Sequence, residues 1–457
     1  MLKHMLSAVN YCKSVLKKAG EYDQGKISLY EELAEFYKFF EYGLINNEQL
    51  NEALKITDLR RAPILVSHLE KKSPSPCSLL SHIEMQSLAR SLETTFVLYT
   101  LVPQGDNASH LGVLIWVINS ESIKLEESLI DSKDLKINPF QGNLDNDLIQ
   151  EGAKIGEVWR AKRGRQKEQE LENKRAIFRQ QLRTWYDKLI KPIEDNFPKN
   201  SGASITFIAD GYLASLPFAL LQDSEGKYLV EKHPIAVAPS IQTLAFLAQK
   251  KKQASFPQLS TIVSMPNNSA VPSIKSSDKE AEEIQETLAT QGKVSLLTQE
   301  QATIFNALEK AQESRFLHID CHGKADLKFH PHSVYEGGLY LTPGEQEAES
   351  KQPGCLYAEQ VSQTSLNAEL VVLSTCCSGR GKVQEEGIVG LPHSFIGAGA
   401  LSVVATHWEL PASDLTVSML KAFYSHILGT SEIAQEQGEP LNKAQALRQA
   451  MLLGIEQ

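Results

Sequence analysis

The sequence predicts an α/β protein whose second half is a parallel sheet sandwiched between helices. Three observations carry that expectation. From about residue 260, short apolar segments (TIVSMP, KVSLL, RFLHID, AELVVLST, LSVVATHWEL) alternate with amphipathic ones (KEAEEIQETLATQ, ATIFNALEKAQE, GIVGLPHSFIGAG, DLTVSMLKAFYSHIL, KAQALRQAMLLGI). The apolar segments run nearly unbroken rather than alternating with polar residues, as strands covered on both faces do. At 457 residues, 42% hydrophobic and 22% charged, the chain has a globular composition and is too long for one compact core.

Residues 1–92 read as a helical amino-terminal segment. YEELAEFYKFFEYGL (30–44) and NEQLNEALKITDLRRAPILVSHLEKK (47–72) space their apolar residues at helical intervals, and SLLSHIEMQSLARSL (78–92) follows the breaker SPSPC. The cluster Phe36, Tyr37, Phe39 and Phe40 reads first as packing between antiparallel helices, with a docking surface as the rival.

Residues 93–255 form a second unit. TFVLYTLV (95–102) and LGVLIWVI (111–118) are strands around the polar turn PQGDNASH, and a long charged helix spans roughly 146–194. Its RAKRGRQKEQELENKRAIFRQ stretch interleaves Glu with Lys and Arg, the pattern of a solvated face rather than a nucleic-acid contact. ASITFIAD (203–210) is a strand ending in the turn Asp210-Gly211, and the polar KKKQASFPQLS (250–260) marks a boundary. The remaining unit is 256–457, of which 95–250 reads as a degenerate copy.

Composition narrows the function. The net charge of −10 gives no global field that would draw the chain to nucleic acid or anionic lipid. Six cysteines without a CxxC pair argue against both a disulfide framework and a zinc ribbon. Asn10 and Lys13 interrupt the first apolar run, so no signal peptide is expected, and no run approaches a membrane span. These features predict a cytoplasmic protein with reduced thiols. GxSxG, GxxxxGK[ST] and HExxH motifs are absent from the sequence.

In a parallel sheet, reactive groups collect in the loops leaving the carboxyl ends of the strands. RFLHID runs into Cys321-His322-Gly323, and AELVVLST into Cys376-Cys377-Ser378-Gly379. A thiol at one strand end and an imidazole at its neighbour make a nucleophile and a general acid/base. A protonated imidazole beside the thiol favours the reactive thiolate. Gly323 and Gly379 permit sharp turns, and the N–H groups of Gly323 and Cys376 are positioned to hold an oxyanion. Strand alternation points Cys377 and Cys321 away from this pair and puts His318, Asp320 and His322 on one face. A metal site there would lack a further ligand at usable spacing.

These residues carry a resemblance. LHIDCHG resembles the histidine motif of CHAT domains, a family of caspase-like cysteine peptidases. LVVLSTCCSGRGKV…GIVGLPHSFIGAGALSVVATHWEL resembles their cysteine motif and its continuation. IADGYLASLPFALLQDSEGKYLVEKHPIAVAPSIQTL resembles the family's entry segment, and ALKITDLRRAPILVSHL, DKEAEEIQETL and KAQALRQAML resemble its helices, over roughly residues 50–453. The resemblance implies a caspase-like fold with an inactive, pseudo-caspase half at 93–255 and TPR-like remnant or linker helices at 1–92. It implies catalytic His322 and Cys376, hydrolysis of a protein substrate through an acyl-enzyme, and no cofactor or metal. It also implies membership of larger defence or signalling assemblies, so that a silent scaffold subunit is the alternative to an active endopeptidase.

Two departures stand out: no Trp-Ala-x-Phe-type final strand follows, and the amino-terminal helices form no clear TPR array. The expectation is a latent chain that a regulatory protein partner completes, helped by a glycine-rich, charged loop SGRGKVQEEG (378–387) that little apolar surface holds in place. The remaining site candidates are less defined. Asp320 is a candidate to orient the imidazole. Asp210, Glu336, Glu385, Glu386 and Asp414 are candidates for an acidic pocket that receives a basic side chain, and Trp408 either walls the cleft or caps the sheet.

Overall fold

Strand pairing follows from how the strands are connected. The computed structural model describes residues 23–71, 79–104, 110–131, 165–274, 276–344, 352–384 and 387–455. The expected start of the charged helix at 146 lies outside these residues, as do Glu385 and Glu386; its described part is Arg165–Leu189. β1 (Thr94–Gln104), β2 (His110–Ile118) and β3 (Ile123–Asp131) form an antiparallel meander. A connection of a few residues can only return the chain antiparallel to itself. Asn119 shapes the second turn, its side-chain oxygen accepting from the N–H groups of Glu121 and Ser122. β3 carries no apolar run, because IKLEESLID is half polar.

β4 (Ser204–Ala209) and β5 (Ile235–Val237) add parallel to β1, giving the order β3-β2-β1-β4-β5. This first sheet is therefore mixed rather than a straight copy of the second. Helices Asp23–Asn46, Leu50–Leu59 and His82–Ser91 cover one face through Tyr37, Phe40, Leu54 and Met85, packed with Phe96 and Trp116. Helix Arg165–Leu189 covers the other through Leu182, Trp185 and Leu189. Within the aromatic cluster Tyr37 and Phe40 are buried, as packing predicts, while Phe39 faces solvent.

The second sheet is wholly parallel. β6 (Leu259–Pro266), β7 (Lys293–Gln299), β8 (Phe316–Asp320), β12 (Leu370–Ser374) and β15 (Val403–Val404) take the order β15-β12-β8-β6-β7. Side chains alternate between two cores. Leu317, Ile319, Val371 and Leu373 pack with Ile304 and Phe395. Phe316, Leu370 and Val372 pack on the other face with Ile284, Phe423 and Ala446 from helices Ser277–Ala289, Asp414–Ile427 and Lys443–Ile455. β9 (His322–Lys324), β10 (Gly338–Tyr340) and β11 (Cys355–Tyr357) form a small antiparallel ribbon beyond β8.

Three expectations need correcting. GIVGLPHSFIGAG is not one helix: Gly387–Gly390 is β14, and the helix begins at Leu391. The segment after Cys376 is not a loose loop, since β13 (Gly381–Gln384) pairs antiparallel with β14. Glycines make that hairpin close-packed; a Cβ on Gly390 would lie 2.4 Å from the Arg380 carbonyl oxygen. Of LSVVATHWEL only Val403 and Val404 join the sheet, pairing with Val371 and Val372.

The halves meet at several places. The 3-10 turn Gly211–Ser215, which follows β4, packs on the β13–β14 hairpin. Arg448 donates to the carbonyls of Val230 at 2.8 Å and Glu231 at 2.7 Å. Helix Pro63–Lys71 packs on Leu391–Ala398. Among the described residues no helix is long and apolar enough to cross a membrane.

Candidate active site

The register of the second sheet builds the site. β8 and β12 are neighbours, and their final paired residues are Asp320 and Ser374. Two residues beyond each of these stand His322 and Cys376, leaving adjacent parallel strands that run about 4.8 Å apart. The chains stay together past the sheet: a Cβ on Gly323 would sit 2.7 Å from the Cys376 carbonyl oxygen and 3.0 Å from the Thr375 hydroxyl oxygen. Close approach of two backbones therefore requires glycine at 323.

His322 belongs to β9, opposite Tyr340 of β10, and is not a continuation of β8. The alternation that put it on one face with His318 and Asp320 stops at Asp320, where β8 ends. Its Nε2 lies 2.8 Å from the Pro272 carbonyl oxygen. A carbonyl only accepts, so Nε2 carries a proton and donates it to Pro272. Pro272 is thus the group that orients the ring, and nothing in the sequence marks a backbone carbonyl 50 residues upstream. Asp320 does not take that role. It is buried, accepts a 3.0 Å bond from the Ser264 hydroxyl, and is pushed up to about 6 by burial and by the nearby Glu280 carboxylate. His318 is likewise spent in the core, 3.0 Å from Glu280 Oε1 and 3.2 Å from the Tyr424 hydroxyl.

Cys376 and Cys377 lie in the turn after β12 rather than within the strand, so strand alternation does not set their directions. Cys376 is half-buried, and the Leu410 N–H donates to its sulfur at 3.4 Å. Such a donor stabilises negative charge on sulfur. Cys377 has φ +54°, a left-handed backbone, and its N–H donates to the Trp408 carbonyl at 2.8 Å. Cys321 points into the core beside Leu339 and Phe395, and burial pushes its thiol well above the usual range.

A cavity of about 360 Å³ opens beside Leu410. Phe178 and Leu220 from the first half face Thr406, His407, Trp408, Glu409 and Leu410 from the second. Trp408 walls this cleft, its ring edge-on to Phe178 at 6.3 Å. Burial and then the Arg380 charge push His407 down to about 4, so it stays neutral at neutral pH. Glu409 is the acidic residue in this wall. It adjoins Trp408, but a single Glu before an apolar Leu carries no local signal that would set it apart.

The other acidic candidates stand apart from the cavity. Asp210 is fully buried, 2.5 Å from Arg60 Nη2 and 3.1 Å from Arg61 Nη2. It is neutralised within the first half and is not open to a substrate. Glu336 pairs with Lys328 at 3.0 Å. Asp414 is exposed in the first turn of its helix and pairs with Lys279 at 2.5 Å.

This architecture, two α/β sheets flanked by helices, is a caspase-like fold. The chain matches the crystal structure of a Saccharomyces cerevisiae separase–securin complex with a TM-score of 0.59 at 11% identity, over 98% of this chain and 36% of that one. The family model of the CHAT domain matches residues 179–456, and the chain belongs to the CHAT family. That match is shorter than the 50–453 over which motifs were read. Tetratricopeptide repeat protein 28 of Homo sapiens is 27% identical over 308 residues, and its Mus musculus counterpart 25% over 313. These regions are 58% and 59% of this chain but only 12% and 13% of the relatives' length.

Proposed function

We propose that this chain is a cysteine endopeptidase in which Cys376 and His322 are the catalytic pair. The observation that supports it most is the register that ends β8 at Asp320 and β12 at Ser374, side by side. Cys376 sulfur attacks the scissile carbonyl, and the N–H groups of Gly323 and Cys376 hold the developing oxyanion. His322, oriented by the Pro272 carbonyl, protonates the leaving amine. Water, activated by the same ring, then releases the acyl group and restores the thiol. The sequence needs no cofactor or metal for these steps.

The cleft beside Leu410 suits a long side chain with an aliphatic stem and a positive end, because its walls are apolar and Glu409 supplies a carboxylate. Cuts that follow acidic or small residues throughout a peptide library would count against this preference. A cytoplasmic setting and control by a protein partner belong to the same reading. The kinship to tetratricopeptide repeat proteins favours a partner, and it equally favours a non-hydrolytic scaffold subunit.

Mass spectrometry after treatment with a peptidyl electrophile is expected to place the adduct on Cys376, and His322→Ala to slow acylation by at least about 100-fold. An adduct on Cys377 with Cys376 untouched would overturn the assignment. Full acylation of the His322→Ala protein would overturn the dyad. Hydrolysis absent both from the purified chain and from the chain in lysate of its source favours the scaffold.

A further inference from the structure

The turn that carries Cys376 holds a second thiol with no part in the proposed hydrolysis. Cys377 is the next residue, half-buried and not in a disulfide. Its backbone is fixed: φ is +54°, the N–H is bonded to the Trp408 carbonyl, and the carbonyl accepts from the Arg380 N–H at 3.1 Å. The Arg380 side chain also reaches the Cys377 thiol. Burial raises that thiol, and the guanidinium opposes the rise by favouring the thiolate. Among the described residues Cys321 also senses charge on Cys376, but it is fully enclosed and held as a thiol by burial.

We infer that Cys376 and Cys377 form a peroxide-sensitive vicinal dithiol, which closes reversibly into a disulfide and switches off the nucleophile. The inference rests on Cys376 being the reactive thiol of the proposed peptidase. In the first step the Cys376 thiolate attacks one oxygen of hydrogen peroxide, the S–O bond forms, the O–O bond breaks, and hydroxide leaves. In the second the Cys377 thiol attacks the Cys376 sulfur, the S–S bond forms and the S–O bond breaks, and the leaving hydroxide takes the thiol's proton to become water. Two thiols lose two electrons and peroxide becomes two waters.

Neighbouring Cα atoms are about 3.8 Å apart across a trans peptide, short of the usual disulfide span. Such a bridge is strained and therefore readily reduced, as a switch requires. The bridge would also spare Cys376 from irreversible oxidation to the sulfinic acid.

The test uses the whole chain, treated with hydrogen peroxide, blocked with an alkylating agent, and digested for mass spectrometry. The peptide holding Cys376 and Cys377 is expected two hydrogens lighter, accepting two further labels only after reduction. In Cys377→Ser, and in Cys377→Ala should the serine form misfold, Cys376 is expected to be trapped as a sulfenic acid by dimedone. Phenylarsine oxide, which needs two close thiols, is expected to bind the parent and lose binding in either variant. A bridge from Cys376 to Cys321 or Cys355, oxygenated Cys376 with Cys377 untouched in the parent, or an arsenical that ignores the parent would each overturn the inference. None of these readouts requires turnover. A chain that forms the bridge but hydrolyses nothing refutes the peptidase alone, and a peptidase without the bridge refutes the switch alone.

Discussion

Asp320 and His322 stand two positions apart and live in different environments. His322 is half-buried, and its ring is bonded to the Pro272 carbonyl. Asp320 is sealed in with Glu280 and His318, and burial first, then Glu280, raise its carboxyl to about 6 from an ordinary 3.8. A carboxyl that binds its proton more tightly when folded contributes stability below its unfolded value, and that contribution is lost as pH rises through about 6. The parent is therefore expected to lose stability between pH 5 and 7 from this group. Asp320→Asn keeps the Ser264 bond and should shrink the difference between urea midpoints at the two pH values; an undiminished difference would assign the slope to another residue.

Among the elements, β9 does most to form the site. It turns the chain out of β8 and lays Gly323 against the carbonyl of Cys376, leaving no room for a Cβ. The obstruction is backbone, which cannot swing aside as a long side chain can. Gly323→Ala is expected to push β9 away from the Cys376 turn and to reduce electrophile labelling by about tenfold or more, equivalent to 1.4 kcal/mol or more of lost alignment. Circular dichroism should stay near that of the parent, and unchanged labelling would show that the contact relaxes without consequence. The β13–β14 hairpin plays a supporting part. Because it is paired and rests on Gly211–Ser215, latency needs a source other than a loose 378–387 segment.

Across the whole molecule, a buried ion cluster ties the amino-terminal helices to the first sheet. Arg60 bonds Glu41, Thr100 and Asp210, and Asp58 accepts from the N–H groups of Ile241 and Gln242 at the start of helix Ile241–Gln253. Asp210 directly follows β4, and the turn Gly211–Ser215 after it contacts the hairpin beyond Cys376. Arg60→Met leaves Glu41 and Asp210 short of a buried partner and is expected to destabilise the chain by about 3–5 kcal/mol. Urea denaturation measures this directly. A loss below about 1 kcal/mol, the level of an exposed pair, would mean that Arg61 alone can neutralise the cluster.

The sequence by itself determined the fold class and the family, because buried parallel strands must be apolar throughout and because LHIDCHG and LSTCCSG are local patterns. It also located the two strand ends at which His322 and Cys376 stand. It could not show that the strand carrying His322 ends at Asp320, nor that the cysteines lie in a turn, since chain direction past a sheet depends on contacts and not on alternation. β3 escaped notice because its exposed face made it polar. Only the tertiary structure decided that Asp210 is an internal counter-ion, that the Pro272 carbonyl orients the ring, and that Phe178 from the first half closes the cleft against Trp408. Each joins residues far apart in the chain, and no local pattern records which distant group the folded backbone brings alongside.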